Sequence, residues 1–132
     1  MQKSKVKIIM QNSKFQNKIV LIKNNQKKIR KISDTYSINN LLTSDITKQI
    51  SIAIGSAKNH KEVTLNKKSN RVYYILKGKL IIKSKEKEFI GKVGDVIFIP
   101  KNTEYYFEGA FSALIINSPA FERKYEKSRL NF

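Results

Sequence analysis

Residues 71–109 read RVYYILKGKLIIKSKEKEFIGKVGDVIFIPKNTEYYFEG, and this stretch decides the fold. Val72 to Leu76 is an unbroken apolar and aromatic run, as in a strand covered on both faces. Lys77-Gly78 interrupts it, and Leu80 to Ile82 resumes. Ser84 to Lys87 is the charged tip of a hairpin. Gly91-Lys92-Val93-Gly94-Asp95 is a turn whose two glycines adopt positive φ at little steric cost. Val96 to Ile99 is the next strand, and Pro100 ends it because proline cannot donate to a sheet ladder. Tyr105 to Glu108 opens another.

The same grammar extends outward. Ile50, Ile52 and Ile54 alternate with Ser51, Ala53 and Gly55, the period of a half-buried strand. Ala113 to Asn117 is a further strand, and Ala120 to Leu130 forms a short terminal helix with its charged face outward. Toward the N-terminus, Val6 to Met10 and Ile19 to Ile22 are short β-branched runs that read as strands, while Ser37 to Leu42 reads as a brief helical turn. Short strands with turn signals between them, repeating every 8–12 residues or so, predict an all-β sandwich or barrel. A chain of 132 residues supports one such core. Within that single domain the segments are a basic N-terminal arm with strands (1–49), the barrel core (50–118) and the C-terminal tail (119–132).

Composition narrows the function. Twenty-seven basic residues against ten acidic ones give a formal charge of +17. Such a balance can mark nucleic-acid binding, but only four of the basic residues are arginine, the residue best suited to forked phosphate and base contacts. Lysine, asparagine and isoleucine are all abundant, as codon drift in an AT-rich genome would produce. Ten basic residues and no acid precede Asp34. Any nucleic-acid binding is expected to be weak, salt-sensitive and indifferent to sequence. There is no cysteine, so disulfides and thiolate metal sites are excluded. No apolar run is long enough for a membrane helix or a secretory signal, so a soluble cytoplasmic protein is expected.

The stretch Arg71 to Gly109 resembles the two-motif core of the cupin superfamily. Gly94 and Pro100 stand at the spacing of the second motif, with Asp95 after the glycine. Asn102 replaces its second glycine and also tolerates the left-handed region. Gly78, preceded by Tyr73-Tyr74-Ile75-Leu76-Lys77, matches the end of the first motif. A slighter likeness, carried by the Gly94 to Pro100 strand and the run into Gly78, is to the cupin of the ethanolamine-utilisation pathway, which also lacks the metal histidines. The resemblance implies a double-stranded β-helix, the jelly-roll-like cupin barrel, and a homodimer paired through a sheet edge such as Lys5 to Gln11 or Lys18 to Lys23.

The functional part of the motifs is missing. Arg71 stands at the glutamate position, Tyr105 at a histidine position, and Gly109 at the asparagine position. The upstream histidines fall near Leu65, Asn66 and Lys67. His60 is the only histidine, so a three-histidine site is impossible, and no metal cofactor is expected. A salvage site of His60, Glu62 and Glu104 can be drawn, but a pair such as His60 and Glu62 is more often a solvated decoration of an edge strand. By strand alternation Arg71 and Tyr73 share one face, as do Tyr105 and Phe107. If the family register holds, these four converge inside the barrel, with His60 and Glu62 at the rim. They either fill the barrel as core or form a ligand pocket. A buried arginine needs an anionic partner, and acids are scarce here, which points to a ligand anion. The leading expectation is a binding cupin for a small anionic or sugar-like ligand. The alternatives are a metal-independent nucleotide-sugar isomerase or epimerase, with His60 and Tyr105 as the only acid–base candidates, and a basic nucleic-acid-associated protein.

Overall fold

The structure, a computed structural model, describes residues 18–23, 28–85 and 87–129. It contains the strands β1 (Lys28–Ser33), β2 (Tyr36–Leu42), β3 (Ser51–Asn66), β4 (Asn70–Ser84), β5 (Lys87–Lys92), β6 (Val96–Ile99), β7 (Tyr105–Ser118) and β8 (Glu126–Arg129). All pair antiparallel in one sheet of order β1-β2-β3-β7-β4-β5, with β6 added to β4 and β8 to β3. The three long strands make the barrel. The first half of β3 pairs with β2 and its second half with β8. Likewise β4 pairs first with β6 and then with β5, while β7 lies between β3 and β4.

Strands β3 and β4 bend where this change of partner occurs, and β7, which keeps both neighbours throughout, bends with them. The register slips between Ala57 and His60 and between Ile75 and Lys77. Asn59 (φ 51°), Gly78 (φ 70°) and Gly109 (φ 133°) have positive φ there. At this level β4 and β7 cross too closely for side chains. A β-carbon at Gly78 would lie 2.0 Å from the Ala110 carbonyl oxygen, and one at Gly109 2.4 Å from that of Lys79. This mutual constraint is the physical reason for the glycine at the end of the first motif.

The turn and strand from Lys92 to Pro100 form as the sequence predicts, but Gly91, expected in the turn at positive φ, belongs to β5 and pairs with Leu80. The Lys92 amide donates to Asp95 Oδ2 at 2.8 Å, Gly94 has φ 91°, and Asn102 takes φ 63° in the place of a glycine. Four other local expectations are corrected. Ser37 to Leu42 is strand, not helix, because it pairs on both sides, with β1 and with β3. Arg123–Tyr125 is a single 3-10 turn, and the chain then continues as β8 where a helix was expected. Ile19 to Ile22 has no regular structure, and Val6 to Met10 lies outside the described residues. In β3 the alternation is present with the opposite face inward: Ser51, Gly55 and Ala57 are buried, whereas Ile52 and Ile54 are only half-buried and Ile50, just before the strand, is 36% exposed.

The outward isoleucines have apolar neighbours. Ile52, Ile116, Val72 and Phe98 form one cross-strand row, and Ile54, Leu114, Tyr74 and Val96 the next. Phe98 and Val96 remain 59% and 63% exposed. Val72 to Leu76 is therefore buried on one face only, contrary to expectation. The interior is packed with aromatic and aliphatic side chains, with Tyr73, Ile75, Leu80, Ile82 and Phe107 almost fully buried.

Candidate functional site

The interior is not filled solid. A cavity of about 550 Å³ remains between the β1–β2 hairpin, the first half of β3, and the segment that crosses from Phe121 into β8. Two features of the sequence create it. The hairpin presents its even-numbered residues inward, from Arg30 and Ile32 on β1 to Tyr36, Ile38, Asn40 and Leu42 on β2. Opposite them, β3 offers Ser51 and Ala53, which occupy little space. Gly55 extends this small face for a packing reason, since a β-carbon there would lie 2.8 Å from both Tyr36 Oη and Ile115 Cδ1.

The floor is a polar network centred on Arg71. Its Nε donates to Asn117 Oδ1 at 2.8 Å, and its Nη1 donates to Tyr105 Oη at 3.0 Å. Both terminal nitrogens donate to the Glu126 carboxylate, Nη2 to Oε1 at 2.9 Å and Nη1 to Oε2 at 3.1 Å. Thr64 and Asn66 donate to the same carboxylate at 2.9 and 2.8 Å. The hydroxyls of Tyr73 and Tyr105 lie 2.6 Å apart. Burial alone would pull the Arg71 guanidinium down, but Tyr105, Tyr73 and Glu126 act the other way and raise its pKa further above its already high value. Burial raises both phenols. They are neutral at physiological pH, so Glu126 supplies the countercharge.

A second polar group stands beside this floor. His60 Nε2 faces Glu62 Oε1 at 2.7 Å, and its Nδ1 faces Thr35 Oγ1 at 2.8 Å. Its ring stacks on Tyr36, with centroids 4.7 Å apart. The kink in β3 explains the placement. It reverses the strand's parity, so His60, Glu62, Thr64 and Asn66 all face inward. The reading of His60 and Glu62 as a solvated decoration is thereby corrected, since both are buried.

Of the residues singled out in the sequence, Arg71, Tyr73, Phe107 and Glu62 line the cavity. Tyr105 lies just beneath, its hydroxyl joining Arg71 to Tyr73. His60 is behind Glu62 and Tyr36 rather than at a rim, and Glu104 is exposed, away from both. The inference that Arg71 awaits a ligand anion is also corrected. Its anion is Glu126, which the sequence reading missed together with Asn117 and the mouth residues Arg30, Arg123 and Arg129. A signal existed in the alternation of Glu126 and Ser128, both of which bond to Thr64, but it was obscured by reading the segment as helix.

The donor set at the family's metal position does not fit a metal. Arg71 has no lone pair to offer and directs its N–H groups to Asn117, Tyr105 and Glu126. Among the described residues no three His, Cys, Asp or Glu side chains are grouped to hold an ion.

Long antiparallel strands that bend and change partners around one barrel interior, with a pocket at one end, are the architecture of a cupin. The family model for ethanolamine utilisation protein EutQ matches residues 1–119, and the chain belongs to that family. Among the solved structures that share the fold are the following. A variant of Pac13 from Streptomyces with uridine is 16% identical, with a TM-score of 0.73 over 85% of this chain and 91% of that one. Pac13 itself is described as a unique nucleoside dehydratase. The Clostridium difficile EutQ protein is 17% identical, with a TM-score of 0.60 over 74% and 66% of the two chains. Ectoine synthase from P. lautus is 12% identical, with a TM-score of 0.66 over 78% and 82%. No curated protein matches the sequence. Among the described residues no helix is long and apolar enough to cross a membrane.

Proposed function

We propose that this cupin binds a small polar molecule in its barrel without metal chemistry, and that the ligand has a sugar- or nucleoside-like body with an anionic group. The observation that carries the reading is the cavity of about 550 Å³, within the size range of small-molecule sites, with an apolar wall and a polar floor already held in place. A floor whose groups satisfy one another does not reorganise on binding, which reduces the cost of association. The reading is supported by the Pac13 variant, a protein of the same fold whose structure was obtained with uridine, a molecule of this size.

The test is a thermal-shift and calorimetric screen of sugars, nucleosides and their phosphates. Ala53 lines the cavity, so Ala53→Leu adds volume inside it. A hit at a hundred times its Kd is expected to stabilise the protein by about 2.7 kcal/mol. Ala53→Leu should abolish that stabilisation while leaving the unliganded protein folded. A stabilisation that survives Ala53→Leu places the ligand elsewhere and rejects the reading.

A second reading, acid–base catalysis on such a ligand, is favoured by Glu62. Its carboxylate lines the cavity, bonded to the buried His60 ring, with Tyr73 lining the same space. That arrangement supplies a candidate base and a candidate acid, in place of the pairing of His60 with Tyr105.

We also propose a homodimer, through the two outer apolar rows rather than a sheet edge. Exposed apolar patches of this kind mark interaction surfaces, and these rows carry no charge. Light scattering at tens of micromolar should give a dimer for the wild type and a monomer for Phe98→Asp. A monomeric wild type at that concentration refutes the proposal.

A further inference from the structure

We infer that the mouth of the barrel is a phosphate-monoester site formed by Arg30, Arg123 and Arg129, so that the ligand is a phosphorylated small molecule with its phosphate at the mouth. This rests on the small-molecule reading above and specifies the ligand's charged group.

The observation is where the arginines are. The chain has 23 lysines and four arginines. All four arginines line the cavity, and among its lining residues there is no lysine. A drift from arginine to lysine acts along the whole chain, so it does not explain retention at one place. What arginine supplies and lysine lacks is a planar fork of donors that matches the oxygens of a phosphate.

Arg71 is already committed to Glu126, Asn117 and Tyr105. The other three have no acidic partner among the described residues. Arg30 lies over the Phe121 ring, 5.9 Å from its centroid, and Arg123 and Arg129 are exposed. They come from β1, the 3-10 turn and β8, so three separate segments bring guanidinium groups to one opening. Two carboxylates also line the cavity, but Glu126 is held by Arg71, and Glu62 is bonded to His60.

The number of charges selects the ligand. Arg30 and Arg123 are close enough to oppose each other: burial first, and then Arg123, lower the Arg30 pKa. A monocarboxylate offsets only one guanidinium. A phosphate monoester is close to a dianion at neutral pH and has three oxygens for the forks to share. The cavity below then holds the neutral body of the molecule.

The test uses the full chain and matched pairs, ribose with ribose 5-phosphate and a nucleoside with its 5′-monophosphate, plus inorganic phosphate alone. In calorimetry the phosphorylated member should bind about 10- to 100-fold more tightly than its partner, as charge-assisted bonds from guanidinium to phosphate imply. Inorganic phosphate should bind weakly but saturably. The triple variant Arg30→Lys, Arg123→Lys, Arg129→Lys keeps the charge and loses the forks. It should lose most of the gain and the phosphate binding, with an unchanged melting temperature. Equal affinity within each pair overturns the phosphate site and leaves the small-molecule reading standing. No binding of any pair, with arginine-dependent phosphate binding retained, supports the site and rejects that reading for these bodies. Full retention of the gain in the triple-lysine variant shows that charge alone suffices and overturns the inference. So does a DNA oligonucleotide that binds as tightly as the phosphorylated ligands and displaces them.

Discussion

Glu126→Ala is expected to lower the melting temperature by about 10–20 °C, corresponding to a loss of about 3–5 kcal/mol for breaking a buried ion pair from one side. The size follows from what remains behind. Arg71 is only 7% exposed at its side chain and keeps its charge at any accessible pH, so it cannot relieve the loss by releasing a proton. Thr64 and Asn66 lose their acceptor as well. The double variant Arg71→Met, Glu126→Leu removes both charges and should recover much of the stability, because apolar replacements of buried pairs are often close to neutral. Chemical denaturation of the wild type, the two single variants and the double variant closes the cycle. A Glu126→Ala protein within about 0.5 kcal/mol of wild type would mean that the pair is not buried as described.

Gly78→Ala is expected to cost about 3–5 kcal/mol, adding left-handed backbone strain to a steric overlap. The added carbon would meet the backbone carbonyl of Ala110, which cannot rotate aside as a side chain would. Relief requires β4 and β7 to separate at their crossing, where β4 changes partner from β6 to β5. Gly94→Ala is the control. It shares a positive φ, but nothing lies within 4 Å of its added carbon, so only the strain should be felt. Comparable losses at the two positions would show that the β4–β7 crossing is looser than the structure has it.

The contrast between these glycines and Glu126 shows what a single sequence conveys. From Arg71 to Pro100 the elements were legible because glycine, proline and Asp95 punctuate them, and their dihedral requirements are local. The approach of Arg71 to Tyr105 followed from motif spacing. The β1–β2 hairpin and β8 were not legible. Their inward faces include Arg30, Asn40, Glu126 and Ser128, which border a cavity or a polar network. In β8, and at Arg30 and Asn40 in the hairpin, polar groups on the inward face break the apolar alternation that sequence reading depends on. In β2 the alternation of Tyr36 and Ile38 with Ser37 and Asn39 is too short to stand out. Glu126 was hidden twice over, since its partner lies 55 residues away along the chain. The inverted face of β3 is the complementary case: its isoleucines were visible, but not that small residues were kept inside to leave space.

Strand β3 also separates two heritable traits. Before its kink, Ser51, Ala53 and Gly55 determine how much room the barrel offers. After it, Glu62, Thr64 and Asn66 contribute to the chemistry that the room presents. Because Asn59 and the register slip divide the strand, a substitution in the first half can enlarge or reduce the accepted molecule without disturbing Arg71 and Glu126. Divergence in ligand size and divergence in reactivity can thus proceed independently in descendants of this barrel, each through a few codons on opposite sides of one bend.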